Sequence, residues 1–145
     1  MVKEIWGIAW NDGTSVGIPE VDEDEKRFIA LLNRFNESVA DRIALIEVKK
    51  RLQNILDDAE QHFAHEERLF KEWRYPDSDD HARKHAQVIQ ALKDIKENCI
   101  SYDFDLEWIE AGLKIKTALI NHILTEDIKY VTYYRSRIAG IPGKV

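Results

Sequence analysis

Between Pro19 and Gly140 the chain contains one proline and one glycine, Pro76 and Gly112. These two residue types interrupt helices most strongly, so so long a stretch with only two of them suits helices joined by few turns. It carries no hairpin signal and no Gly-rich phosphate loop.

Four helical segments follow from apolar periodicity. The first begins near Asp22, and Phe28, Leu31, Leu32, Phe35 and Val39 form one stripe. Asp22 reads as its N-cap, with Glu25 three residues on completing a capping-box pattern. The second runs from about Ile46 to Trp73, with Leu52, Ile55, Leu56, Ala59, Phe63, Leu69, Phe70 and Trp73 on its stripe. Tyr75-Pro76 ends it, because the residue before proline is pushed out of helical geometry. The third runs from about Asp79 to Asn98, with Val88, Leu92 and Ile95 on one side. The fourth starts after Tyr102-Asp103 and passes Tyr130, carrying Ile109, Leu113, Leu119, Ile120 and Ile123. Short links between long amphipathic helices predict an all-α, antiparallel up-down-up-down four-helix bundle. The 145 residues read as one domain: an extended N-terminal arm (1–21) with Trp6 and Trp10 as anchors, the bundle (22–134) and a tail (135–145).

Charge narrows the function classes. A net charge of -6 disfavours nucleic acid and anionic lipid, which both need a basic face. No basic start is followed by a long apolar run, and no apolar stretch is long enough to span a bilayer. Cys99 is the only cysteine, so no internal disulfide can form. The expectation is a cytoplasmic protein with neither nucleic acid nor membrane as partner.

The apolar stripes contain residues that do not belong there. His62 and Glu66 lie four apart beside Phe63, His81 and His85 lie four apart in line with Val88 and Leu92, and His122 follows Leu119 by three. A spacing of four turns a helix by ~400° and stacks two side chains about 6 Å apart along its axis. Imidazole and carboxylate suit a borderline divalent ion such as iron, zinc or manganese. A lone histidine on an apolar face is more often a hydrogen-bonded core residue. Here four of the five histidines fall on inward faces of three helices, with carboxylates at ligand spacing.

The ordered set HxxxE, HxxxH, HxxxxD on successive helices resembles the hemerythrin family, its bacterial members above all. The likeness begins at Trp10-Asn11-Asp12 and Ser15-Val16-Gly17-Ile18 and continues through Val21-Asp22-Glu23. It includes His62-Phe63-Ala64-His65-Glu66-Glu67, Tyr75-Pro76, His81-Ala82-Arg83-Lys84-His85, His122-Ile123, Asp127 and Tyr130. The resemblance implies two iron ions with an oxo or hydroxo bridge. His81, His85 and His122 would bind one iron and His62 the other, with Glu66 and Asp127 bridging them. It also implies that dioxygen binds at the iron with fewer histidines. His122 and Asp127 are separated by ~500° on an ideal helix, about 140° beyond a full turn. Sharing one site therefore predicts a π-bulge between them.

Two departures from the family pattern bear on function. The family has a histidine where this chain has Glu25. Glu25 reads either as the reach-back half of the capping box or as a carboxylate ligand on the iron of His62. Its shared face with Phe28, Leu32 and Phe35 favours the ligand. His65, three residues from His62, is a weaker candidate for the missing nitrogen and reads rather as solvated or as backing the site. An anionic ligand would stabilise the ferric state and make reversible oxygen carriage harder. The second departure is Ala118-Leu119, where the family usually has Trp-Leu. By the resemblance Phe63, Ala118 and Leu119 line the oxygen pocket, and Ala118 would widen it. Two functions follow. One is dioxygen binding for storage, delivery or sensing. The other is a di-iron redox enzyme, reducing dioxygen or peroxide or oxidising ferrous iron with an unidentified electron donor, which the Glu25 substitution favours.

Overall fold

The computed structural model describes residues 16–98 and 106–140. The expected arm with Trp6 and Trp10, Cys99 and the Tyr102-Asp103 start of the fourth helix lie outside these residues. The helices are α1 (Pro19–Ala40), α2 (Leu45–Trp73), α3 (Ser78–Asn98) and α4 (Leu106–His122). A π-helical turn (Ile123–Asp127) links α4 to α5 (Ile128–Tyr133), and a second π-helical turn covers Tyr134–Ile138. The helices contact one another in a closed ring, α1 on α2, α2 on α3, α3 on α4 and α4 on α1. Asp24, early in α1, meets His65, late in α2. Phe35, late in α1, meets Trp108, early in α4. Such pairings run neighbours antiparallel, as short links require.

The first helix starts at Pro19, three residues before the expected Asp22 cap. Its N-cap is Ile18, without a side-chain cap. Proline is preorganised for the first helical position and lacks the N–H that would need a partner there. Asp22 is inside the first turn, where its Oδ1 accepts from the Val16 N–H at 2.8 Å. Glu25 therefore lies too far into α1 to complete a capping box. The second helix ends as expected at Trp73. Arg74 turns left-handed with φ 52°, and the Tyr75 N–H returns to Phe70 O at 2.9 Å. The apolar stripe of α4 differs from its expected register. Among its described side chains Trp108, Ala111, Ile115 and Leu119 are the buried apolar ones, whereas Ile109 and Leu113 are half-buried; the expected Ile120 side chain lies outside the described ones. Apolar neighbours such as Trp108-Ile109 leave the period unable to choose between adjacent rows.

Among the described residues the core has two apolar clusters. The larger holds Phe28, Leu32, Phe35 and Val39 from α1, Val48 to Ala59 from α2, Leu92 from α3 and Trp108 to Leu119 from α4. The smaller holds Ile18, Val21, Leu69, Phe70, Trp73, Tyr75 and Tyr130. On α1 and α2 one chain segment serves each cluster, and the residues between them, Glu25, His62 and Glu66, are buried and polar. The same layer receives His81, His85, His122 and Asp127. The bundle thus encloses a polar slab between two apolar ones.

Gly112 sets the approach of α4 to α1. A Cβ there would stand 2.2 Å from Asn36 Oδ1 and 3.7 Å from Phe35 Cε2. Asn36 is buried and Phe35 fully so, which leaves little room to give way. Gly112→Ala is expected to cost about 1–3 kcal/mol in urea unfolding, the usual penalty of overpacking. Asn36→Ala should relieve part of it, so the double variant should be less unstable than the sum. Strict additivity would reject the clash.

Candidate metal centre

Glu66, His81, His85, His122 and Asp127 each place one donor atom within 4.8 Å of all the others, and all five are buried. His122 Nε2 lies 3.0 Å and His81 Nε2 3.2 Å from Asp127 Oδ1. His85 Nε2 lies 3.1 Å from Glu66 Oε1. His62 Nε2 joins from the other side at 3.5 Å from the same oxygen. The π-helical turn makes this convergence possible. Its wider hydrogen-bonding step, five residues instead of four, brings Asp127 back to the face of His122. The bulge expected from that spacing is present.

These contacts are close, yet none is aligned as a hydrogen bond. Glu66 Oε1, His81 Nε2, His85 Nε2, His122 Nε2 and Asp127 Oδ1 are all buried without a hydrogen-bond partner. An unpaired buried polar group costs about 1–3 kcal/mol, more when charged. Five together need a compensating partner. Donor atoms that would share an ion at about 2.1 Å stand roughly 3 Å apart, close to the 3.0–3.2 Å between His122, His81 or His85 and their facing carboxylate oxygens. The donor set of imidazoles and carboxylates suits iron, zinc or manganese. On these grounds the residues fit a bound transition metal.

Glu25 stands beside this cluster. It is 3% exposed, and both carboxylate oxygens lack a partner. It lines a cavity with His62, Phe63, Leu119, His122 and Asp127, among others. The cavity measures about 10 Å³, room for about one water-sized molecule. Burial first, then the Asp127 charge, pushes the Glu25 carboxyl up to about 8. Burial works against a charged His62, but the Glu66 and Asp24 carboxylates outweigh it and push the imidazole up to about 9. Burial likewise opposes ionisation of Asp127, yet His122 and His81 hold it at about 2.

Other residues brace the donors. Tyr130 is fully buried, and its hydroxyl donates to Glu66 Oε2 at 2.5 Å. Phe63 stacks on the His85 ring at 3.9 Å between centroids and 6° between planes. His85 Nδ1 donates to Glu67 Oε2 at 2.9 Å. His65 Nδ1 meets Asp24 Oδ2 at 2.5 Å, so His65 backs the site without reaching the cluster. Periodicity gave Asp24 and Glu67 no role. The only hint was that each adjoins a candidate donor, as Asp24-Glu25 and Glu66-Glu67.

Of the expected pocket residues, Phe63 and Leu119 line the cavity beside Glu25. Ala118 does not. It faces a groove between α3 and α4 with Ala91, Ile95 and Ala111. One residue step turns a helix by about 100°, enough to carry Ala118 away from the row of Leu119.

Residues 16–134 match the family described as the hemerythrin HHE cation binding domain. A hemerythrin-like protein of Naegleria gruberi is 30% identical over 121 residues, covering 83% of this chain and 88% of its own. A bacteriohemerythrin of Stenotrophomonas maltophilia is 26% identical over 133 residues, covering 90% and 84%. A myohemerythrin of Theromyzon tessulatum is 26% identical over 123 residues, covering 83% and 88%.

Proposed function

This chain belongs to the hemerythrin family, and on that premise we propose that its polar slab holds two iron ions and binds dioxygen. His81, His85 and His122 would hold one iron and His62 with Glu25 the other. Glu66 and Asp127 would be shared, along with an oxo or hydroxo bridge. Iron supplies the electrons that bind or reduce dioxygen. The observation that carries this reading is the convergence of five buried donor atoms that make no hydrogen bonds to one another.

The chain's own residues serve that task in distinct ways. Phe63 and Leu119 wall the small cavity with apolar surface, which keeps bulk water from the ions. Tyr130 holds Glu66 in place by its hydroxyl, and Phe63 fixes the plane of His85. The π-helical turn aims Asp127 at the centre.

A second reading is favoured by Glu25. An unpaired carboxylate buried beside the ions stabilises their higher charge, which suits a redox enzyme acting on dioxygen, peroxide or ferrous iron. One experiment separates the readings. Protein loaded anaerobically with ferrous iron should take up two ions per chain. A persistent visible charge-transfer band on exposure to air would mark a carrier. Immediate conversion to an oxidised spectrum without bound ligand, followed by peroxide consumption with a reductant, would mark the enzyme. Failure to bind iron would reject both.

A further inference from the structure

Asp24 lies outside the donor cluster and has no part in the function proposed above. Its Oδ2 stands 3.3 Å from His62 Nδ1, the ring nitrogen turned away from Glu66. Asp24 is itself held from two sides. His65 Nδ1 meets Oδ2 at 2.5 Å, and Arg27 Nη2 donates to Oδ1 at 3.1 Å. Arg27 in turn is anchored on α2, where its Nε donates to Asp58 Oδ1 at 2.6 Å. We infer that Asp24 is a positioning residue for His62, fixing the ring so that Nε2 points at the metal position it would share with Glu25.

Three observations carry this. First, His62 Nδ1 is buried without an aligned hydrogen bond, and Asp24 Oδ2 is the carboxylate oxygen within ion-pair distance of it. Second, the same device occurs elsewhere in the molecule, where Glu67 Oε2 takes the Nδ1 of His85 at 2.9 Å while Nε2 faces Glu66. In both places an acid next to a candidate ligand crosses to a histidine on the following helix. Third, Asp24 is placed to do this rigidly, because His65 and Arg27 fix both its oxygens. A carboxylate behind a ligating imidazole orients the ring and raises its basicity, and loss of such a partner typically weakens metal binding 10–100-fold.

The inference rests on reading His62 as a ligand, so the test must separate the two. Ferrous iron or zinc is titrated into the full chain against a competing chelator, with helix content followed by circular dichroism. In Asp24→Ala one of the two metal equivalents should weaken about 10–100-fold while the other stays tight. Asp24→Asn, which keeps an acceptor oxygen, should fall between. Arg51→Ala removes a hydrogen bond between the same two helices, Arg51 Nη1 to Arg34 O, at the end of the bundle away from His62, and should bind both ions as the unmodified protein does. Equal binding in Asp24→Ala, or equal loss in Arg51→Ala, would overturn the inference. If the unmodified protein binds neither metal, the ligand reading fails on its own. The positioning is then read from a crystal structure of metal-free Asp24→Ala, where an unmoved His62 ring would reject it.

Discussion

Stripped of metal, the protein should lose stability as pH rises from about 6.5 to 9, and bound metal should reverse the sign of that dependence. Two groups govern the metal-free branch. Glu25 is pushed up to about 8 from an ordinary carboxyl near 4.5, by burial and by the Asp127 charge. The folded state therefore binds its proton between those values and the unfolded state does not. His62 is pushed up to about 9 from 6.5, the facing Glu66 charge outweighing its burial. Its stabilisation is complete below pH 6.5 and is lost through 9. Both make the folded state the better proton binder, so stability falls with rising pH, most steeply where they overlap between 6.5 and 8. Each proton contributes at most about 1.4 kcal/mol per pH unit. Asp127 acts in the opposite sense. Held at about 2 against an ordinary 3.8, it contributes stability that is lost as pH falls through that range. On these groups the metal-free optimum should thus lie near about pH 4, where the Asp127 gain and the Glu25 loss cancel. Metal changes the sign, because ions bind deprotonated carboxylates and neutral imidazoles, and acid then competes with them. Urea unfolding at pH 5, 7 and 9, with chelator and with ferrous iron or zinc, reads both branches. Glu25→Gln should flatten the metal-free branch. A metal-free stability that stays level from pH 6.5 to 9 would refute the electrostatic picture of the slab.

Much of this arrangement is legible in the sequence because each helix crosses the polar slab within one continuous period. On α2 the row Leu52, Ile55, Leu56, Ala59 continues into His62 and Glu66 and then into Leu69 and Phe70, so the intruders announce themselves by position. The five-residue spacing from His122 to Asp127 even foretells the π-helical turn, since no regular helix brings both to one face. What periodicity leaves out has physical causes. The start at Pro19 depends on a backbone preference, with an apolar cap at Ile18 that side-chain capping rules do not anticipate. Ala118 and Leu119 differ by one rotational step, and either row of α4 looks apolar. Asp24, Arg27, His65 and Asp58 are joined across two helices, at separations no local pattern encodes. The second π-helical turn, Tyr134–Ile138, follows from no spacing of site residues.

Replacing Glu25 by histidine should lengthen the life of the oxygenated, iron-loaded protein by about ten-fold or more. Glu25 is buried, lacks a hydrogen-bond partner and lines the water-sized cavity beside His62 and Asp127. With ions present its carboxylate adds a negative charge a few ångströms from them. At an effective dielectric of about 20, a unit charge at about 4 Å is worth about 4 kcal/mol. That charge favours the ferric state and hence the loss of electrons to dioxygen. A neutral imidazole removes it, and recovery of even a third of that energy, about 1.4 kcal/mol, is a factor of ten in rate. The change also removes a second oxygen that can occupy an open coordination position. Burial argues that the variant will fold, since histidine is accepted throughout the same layer at His81, His85 and His122. Following the visible band after exposure to air, in the original and Glu25→His proteins at equal iron content, gives the two lifetimes. If they agree, Glu25 exerts no control over the fate of dioxygen. Should the variant also gain peroxide turnover, the charge argument itself is wrong, because removing the anion ought to slow electron loss.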